Sequence, residues 1–262
     1  MSGRAAALAL SALALAAGAR AQERAIPLDQ LRSGSSFLSG DLRALQNDEF
    51  ANPALLWVER GEKLWREPAG SAGKACASCH KDDAASSMRG VATRYPRVDA
   101  ASGKLMNLEA RINDCRTARM GAEPFRYESE EMLGITAYVA KQSRGMPIAA
   151  DIGGPARTHY DTGRAFYYQR RGQMNLSCAH CHEANWGKRL FAETISQGQP
   201  NAYPAYRLEW QTMGSLERRL RACLSGVRAE MLPYGDPAYR DLELFLAWRG
   251  QGLPIETPGV RR

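Results

Sequence analysis

The sequence predicts a mainly α-helical protein in which two tandem domains are related by internal duplication. Two repeats and a scarcity of strand signals carry this prediction. The pentapeptide C-x-x-C-H occurs at Cys76–His80 and again at Cys178–His182. Each copy is followed by the pattern L-E-x-R-φ-x-x-C, where φ is an apolar residue, at residues 108–115 and 216–223.

The elements of each half follow in the same order. A helix leads to each pentapeptide, for example over residues 61–66 and 163–169, and a loop region comes next. A helix with the third cysteine follows. An amphipathic helix then closes each half, over roughly residues 130–143 and 239–250, with apolar residues at helical spacing. Each half ends in the tetrapeptide G-x-P-I.

The N-terminal residues predict a secretory leader. Arg4 is followed by an Ala/Leu run and by Ala19-Arg20-Ala21, a small-x-small cleavage signal. Residues 1–21 are therefore expected to be removed on export to the periplasm, so that the mature chain begins at Gln22. The rest divides into an N-terminal extension, a first domain, a linker and a second domain, at residues 22–52, 53–150, 151–161 and 162–262.

Charge and hydropathy limit the classes of function. The formal net charge is +7, which favours anionic partners or substrates. Nucleic acid is not expected as a partner, because no basic run carries interleaved aromatic residues. After the leader, no apolar stretch is long enough to span a bilayer, so no membrane span is expected.

Each C-x-x-C-H pentapeptide predicts one covalently bound haem c. Two thiols three residues apart on one helical turn can meet the two vinyl groups of a porphyrin, and the adjoining histidine then faces the iron. A zinc site or a redox dithiol also uses C-x-x-C, but the five-residue pattern is far more specific. The attachment cysteines and proximal histidines are Cys76, Cys79, His80, Cys178, Cys181 and His182.

The ligand on the other face of each iron decides the function. Methionine is the usual choice in electron carriers, and Met146 lies where such a ligand is plausible, but its repeat equivalent is Leu253. The remaining histidines, His159 and His180, are interpreted as surface residues, the first in the linker. An open position is the other alternative.

Cysteine is the only type of candidate ligand that recurs at matched positions in both halves, as Cys115 and Cys223. A disulfide between them is the main competing interpretation for an exported protein, and two inert core thiols are another. Equivalent residues of a duplicated fold lie near two different haems, however, and Cα atoms more than about 7 Å apart cannot be bridged. Axial ligation of the two irons is therefore favoured.

These patterns closely resemble the A subunits of the SoxAX cytochromes of bacterial sulfur oxidation, named L-cysteine S-thiosulfotransferase. The resemblance rests on two C-x-x-C-H sites, each followed by R-x-x-x-C, and on the segment Arg219-Leu-Arg-Ala-Cys223-Leu-Ser-Gly. It covers most of the mature chain. It implies His/Cys ligation of both haems, a persulfide on Cys223 as the active-site residue, and the dihaem branch of the family, because the first haem motif is retained.

The resemblance also implies the reaction and the partners. Thiosulfate is coupled oxidatively to a cysteine of the sulfur carrier protein SoxYZ, and two electrons pass to c-type haem. The monohaem cytochrome SoxX is the expected partner in a heterodimer. Arg111 occupies the same place in the first half as Arg219 in the second. The choice of Cys223 over Cys115 as the reactive cysteine therefore rests on the family alone.

Arg219 is a candidate for binding the anionic substrate. It precedes Cys223 by four residues and so shares its helix face. A guanidinium fork suits the sulfonate oxygens of thiosulfate. The alternative is a surface arginine paired with an acid such as Glu217 or Glu230. Three further arginines in this segment add positive potential, Arg218, Arg221 and Arg228.

Two rival functions stay open at this point. A dihaem electron carrier without substrate chemistry requires an axial methionine in at least one half, and a dihaem peroxidase requires one open haem. Neither explains a cysteine repeated in register with an arginine.

Overall fold

The computed structural model describes residues 24–262, so the predicted leader and the predicted mature start at Gln22 lie outside the described residues. The α-helices are α1 Gly40–Asn47, α2 Leu55–Arg66, α3 Cys76–His80, α4 Ala84–Ser87, α5 Leu108–Cys115, α6 Glu130–Lys141, α7 Ala156–Tyr168, α8 Cys178–His182, α9 Leu216–Gly226 and α10 Pro237–Arg249. The strands are β1 Arg97–Val98, β2 Leu105–Met106, β3 Arg189–Leu190, β4 Glu193–Thr194, β5 Ala205–Arg207, β6 Thr212–Gly214 and β7 Gly259–Arg261.

The two halves repeat one order of elements, as the sequence predicted. In the first half, α2 leads to the pentapeptide helix α3, the β1–β2 hairpin follows, α5 carries Cys115, and α6 closes the half. In the second half, α7, α8, the β5–β6 hairpin, α9 and α10 take the same places. Among residues 24–262, no helix combines the length and the hydropathy that a bilayer crossing needs.

A glycine brings the first and last helices of each half into close contact. A Cβ atom on Gly61 of α2 would overlap the carbonyl oxygen of Gly134 in α6. A Cβ atom on Gly163 of α7 would likewise overlap the carbonyl oxygen of Asp241 in α10. Each helix pair therefore packs backbone against backbone, and any side chain at either glycine would force the helices apart.

Each half completes its core with a residue from the other half. Around α2 and α6 the core contains Trp65 and Ile135, and Met213 of β6 joins it from the second half. Around α7 and α10 the core contains Phe245, and Leu105 of β2 joins it from the first half. Leu105 and Met213 occupy equivalent places in the repeat. The two halves therefore interlock rather than stand apart.

The two G-x-P-I tetrapeptides pair with each other. The Ile148 N–H donates to the Leu253 carbonyl oxygen at 2.9 Å, and the Ile255 N–H donates to the Met146 carbonyl oxygen at 2.9 Å. Ile148 is the repeat equivalent of Ile255, and Met146 that of Leu253, so the two bonds are equivalent to each other and a local two-fold relation links the two segments. The Met146 side chain lies against Gly90, where an added Cβ would be 3.0 Å from its terminal methyl carbon.

The predicted linker differs from the expectation. Helix α7 begins at Ala156, so the second part of the predicted linker at residues 151–161 is helical, because Pro155 at its N-cap has a φ of −65° that suits a helix start. His159 therefore lies on this helix, and its Nδ1 is 2.7 Å from Asp241 Oδ1. The N-terminal extension contacts both halves: Arg24 stacks on Trp248 at 4.2 Å, and Arg144 donates to the Gln46 carbonyl oxygen at 3.2 Å.

A group of buried acidic residues lies where the halves meet. Glu109 and Glu217 occupy equivalent positions in α5 and α9, and Glu243 lies on α10. Glu217 and Glu243 are 1% and 7% exposed. Burial, and then the charges of the neighbouring acids, raise the pKa of all three carboxyl groups. Glu109 and Glu243 also line a cavity of about 90 Å³ between the halves.

We expect thermal stability to fall as pH rises from the ordinary carboxyl range near 4.3 to above neutrality. The folded state holds protons that the unfolded state releases in this range, so the free energy of unfolding decreases with pH. Glu217→Gln should flatten this pH dependence, because it removes one titrating group. The Gly235 N–H donates to Glu217 Oε2 at 2.7 Å, and the glutamine side-chain oxygen can accept the same hydrogen bond.

Circular dichroism melts at about pH 5 and about pH 8 measure the effect, with a shift of about 2–4 °C expected per kcal/mol. The matched control is Glu130→Gln, which removes the same charge from a side chain that is 68% exposed. An equal pH slope in wild type and Glu217→Gln would contradict the expected titration.

Candidate functional site

The second pentapeptide helix presents one histidine to the site and turns the other away. His180 Nδ1 accepts the Ser177 N–H at 3.1 Å and lies 2.7 Å from Ser177 Oγ, so this ring caps the start of its own helix. Ser78 plays the same part in the first half, where its Oγ accepts the Ala75 N–H at 3.0 Å. His159 and His180, interpreted from the sequence as surface residues, are both partly buried, His159 beside Asp241 and His180 in this cap.

The His182 ring is oriented by the chain that follows it. Its Nδ1 is 2.8 Å from the Ser196 carbonyl oxygen, so Nδ1 carries the proton and Nε2 has a free lone pair. An added Cβ on Gly198, whose φ is 70°, would lie 2.8 Å from Cγ of the ring. The ring is therefore fixed by one hydrogen bond and by close backbone contact on one side.

Three cysteines lie near one another in each half, and in the second half His182 joins them. The thiol of Cys223 lies beside His182 and interacts with Cys178 and Cys181. In the first half, Cys115 interacts with Cys76 and Cys79 in the same way. No disulfide joins Cys115 and Cys223 among the described residues, so the structure does not support that alternative.

The donor set of the second half fits a covalently bound haem. Two thiols are positioned for thioether bonds, the His182 imidazole has a free nitrogen, and a third thiol is available as a further ligand. In the first half, His80 occupies the repeat position of His182, is exposed, and lies beside Trp65, with 5.9 Å between the ring centroids. Trp65 in turn donates its Nε1–H to the Lys81 carbonyl oxygen at 3.0 Å.

The two third cysteines differ in electrostatic environment. Burial raises the pKa of Cys115 above its ordinary value. Burial also acts to raise the pKa of Cys223, but the positive charges of Arg219 and Arg207 and the contact with His182 outweigh it and lower the pKa to about 7. The second site therefore favours a thiolate far more than the first.

Ion pairing of the repeated arginine accounts for part of this difference. Arg111 is paired with Asp99 and, at 2.9 Å, with Asp114. The nearest carboxylate recorded for Arg219 is Glu209, whose Oε1 is 3.7 Å from Nη1. Glu217, offered from the sequence as a possible surface partner of Arg219, is instead buried and accepts from Gly235.

The sequence analysis missed Arg207 and Glu209. Arg207 is the last residue of β5, its side chain is 5% exposed, and it pairs with Glu209 in the following turn. Arg207 is the repeat equivalent of Asp99, because each stands four residues after the tyrosine of a Tyr-Pro dipeptide. An alignment of the two halves across this hairpin would have revealed the change from an acid to a base.

Comparisons with known proteins agree with these observations. A family model described as the cytochrome c domain of SoxA and TsdA matches residues 60–148. The L-cysteine S-thiosulfotransferase subunit SoxA of Pseudaminobacter salicylatoxidans is 43% identical over 237 residues, which cover 90% of this chain and 82% of that protein. The corresponding subunit of Paracoccus pantotrophus is 40% identical, and the match covers 89% of this chain and 80% of that protein.

A solved structure is also similar. A chain in the crystal structure of SoxXA from P. pantotrophus matches with a TM-score of 0.85 at 40% identity. The match covers 88% of this chain and 87% of that chain.

We expect Gly198→Ala to disturb the His182 ring. The substituted Cβ would lie 2.8 Å from the ring, whereas Gly187 has open space around its own Cβ position. Both glycines have positive φ, at 70° and 83°, so Gly187→Ala is a control that shares the backbone strain and lacks the contact.

Electron paramagnetic resonance of the haem-loaded variants measures the outcome. Gly198→Ala should alter a low-spin haem signal, because the orientation of an imidazole ligand sets the signal. Gly187→Ala should leave it unchanged. Identical spectra for Gly198→Ala and wild type would show that this contact does not position the histidine.

Proposed function

This chain belongs to the SoxA family of L-cysteine S-thiosulfotransferase subunits, and from that premise we propose that it couples thiosulfate oxidatively to a carrier cysteine as a dihaem cytochrome subunit. The observation that carries the proposal is the setting of Cys223. A buried thiol of lowered pKa lies between the His182 ring and the positive charges of Arg219 and Arg207. Such a site is suited to a sulfur nucleophile that must meet a small dianion.

The two halves are tandem cytochrome c domains related by duplication. The matched element order, the paired G-x-P-I segments and the exchange of core residues support this reading. Cys76 and Cys79 would hold the first haem c covalently, and His80 and Cys115 would be its iron ligands. Cys178 and Cys181 would hold the second covalently, and His182 and Cys223 would be its iron ligands. When bound, each haem supplies a one-electron acceptor within the protein.

Arg219 binds and orients the substrate. Its guanidinium offers paired N–H donors to the sulfonate oxygens of thiosulfate, so that the outer sulfur faces Cys223. The lowered pKa of Cys223 keeps its sulfur available as a thiolate or as a persulfide during transfer. The fixed tautomer of His182, set by the Ser196 carbonyl, keeps the opposite side of the site rigid.

The net reaction joins two sulfur atoms. A carrier thiol and thiosulfate form a carrier–S–S–sulfonate bond, and one proton and two electrons are released. Cys223 would hold the transferred sulfur until the carrier thiolate attacks it by exchange. The proton leaves from the carrier thiol, and the electrons leave through c-type haem to an external acceptor.

The proposed partners follow from the family. A monohaem cytochrome c subunit of the SoxX type forms the heterodimer, as in the crystal structure of SoxXA from P. pantotrophus. A SoxYZ-type carrier supplies the acceptor cysteine. The predicted leader directs the protein to the periplasm, where all three components meet.

Ion pairing favours Cys223 over Cys115 as the reactive cysteine. Arg111 is engaged by two carboxylates, so little positive charge remains to attract an anion at Cys115. Arg219 has a looser contact with one carboxylate, and buried Arg207 adds a second positive charge. This physical asymmetry supports the assignment that the sequence could take only from the family.

We expect Cys223→Met, made in the haem-loaded heterodimer, to lose thiosulfate-dependent transfer to the carrier by at least about a thousandfold, as is usual when a nucleophile is removed. It should also lose one narrow low-spin signal in electron paramagnetic resonance. Cys115→Met is the matched control, because it should lose the other thiolate signal while transfer continues.

Full transfer activity in Cys223→Met would sink the assignment. Equal loss of activity in both variants would show that the two sites do not divide the roles as proposed.

A further inference from the structure

Arg207 is a buried guanidinium whose hydrogen-bonding capacity is poorly used. Its Nε and Nη2 contact the same oxygen, Glu209 Oε1, at 2.8 and 2.7 Å. The guanidinium has five N–H donors, and a buried charge is stable only when it is well paired. One carboxylate oxygen therefore serves as the ionic partner of a side chain that is 5% exposed.

The same oxygen also faces the substrate-binding arginine. Glu209 Oε1 lies 3.7 Å from Arg219 Nη1, so it stands between two guanidinium groups. The Glu209 side chain is 42% exposed and belongs to the turn between β5 and β6. This carboxylate is anionic, reaches the site from a turn, and has an open path to solvent.

Arg207 and Arg219 both act on Cys223. Both guanidinium groups lie close enough to the Cys223 sulfur for their positive charges to act on it. In the first half, the place of Arg207 is taken by Asp99, which pairs directly with Arg111. The exchange of an acid for a buried base distinguishes the two sites at equivalent points of the fold.

Trp210 holds Arg207 in place. The guanidinium carbon of Arg207 lies 5.0 Å from the centroid of the Trp210 ring, and that of Arg218 lies 4.4 Å from it. A planar guanidinium packed against an aromatic ring loses little entropy on binding a planar or trigonal array of oxygens.

We propose that Arg207 and Arg219 form a two-arginine clamp for the sulfonate group of the substrate, and that the Glu209 carboxylate occupies this clamp until an oxoanion displaces it. The proposal rests on the proposed function and adds to it a second anion-binding residue and an internal competitor. A sulfonate carries three acceptor oxygens, so it can satisfy donors of both arginines at once, which one oxygen of Glu209 cannot. Displaced Glu209 turns into solvent, where a carboxylate is well hydrated.

Steady-state kinetics of the haem-loaded heterodimer with the carrier test the clamp. Arg207→Gln should raise the KM for thiosulfate about tenfold, the equivalent of one charge-assisted hydrogen bond, with the KM for the carrier unchanged. Arg207→Lys should recover part of the loss. Glu209→Gln should lower the KM for thiosulfate several-fold, because the resident anion is removed.

Arg261→Gln is the matched control. Arg261 pairs with Arg207 in the β5–β7 register, is 8% exposed, and has its own carboxylate partner in Glu256. If loss of a buried arginine from this sheet acted only by loosening the fold, Arg261→Gln would raise the KM as well. We expect it to leave the KM for thiosulfate unchanged. Glu209 is half-exposed, so Glu209→Gln should fold normally. It therefore tests the proposal even if Arg207→Gln destabilises the protein.

Calorimetric titration of thiosulfate without the carrier separates this proposal from the proposed function. Binding that weakens in Arg207→Gln and tightens in Glu209→Gln supports the clamp even when wild type shows no transfer, an outcome that would overturn only the function. Active transfer with an unchanged KM for thiosulfate in Arg207→Gln overturns the clamp and leaves the function intact. An unchanged or raised KM in Glu209→Gln overturns the role of Glu209 as a resident anion.

Discussion

Close contact between helices at Gly61 and Gly163 is the constraint from which the rest of the structure follows. Each glycine lets the first helix of its half lie against the backbone of the closing helix. The first helix runs directly toward the pentapeptide helix, so this crossing determines where the pentapeptide cysteines and histidine stand. The G-x-P-I segments that follow the closing helices then pair with each other, and each half contributes to the core of the other.

A symmetric frame of this kind supports different chemistry in its two halves through few substitutions. Asp99 and Arg207 occupy equivalent positions in equivalent hairpins, yet the first neutralises the repeated arginine and the second adds to its charge. Helix positions, third cysteines and repeated arginines are otherwise the same. Hairpin residues therefore determine the local charge at each site, and the helices determine its geometry.

Much of this organisation could be predicted from the sequence because it depends on the spacing of residues that are close together along the chain. The pentapeptides, the helices around them, the third cysteines and the closing helices all follow from short-range patterns. The contact of Glu209 with Arg219 joins a turn to a helix, and no spacing rule brings those residues together. Glu217 illustrates the same limit, since its place two residues before Arg219 suggested a surface partner, whereas α9 turns it into the junction between the halves.

Burial of Glu217 has a consequence for the sulfur site on the same helix. Residues two apart on an α-helix point in different directions, so Glu217 faces the junction while Arg219 faces Cys223. An ionised Glu217 would offset part of the positive potential of this helix. Burial and the neighbouring acids raise its pKa, so its carboxyl group keeps its proton to higher pH and carries no charge while it does so. The buried acids thus leave Glu209 as the carboxylate that offsets the charge of Arg207 and Arg219 near the cysteine.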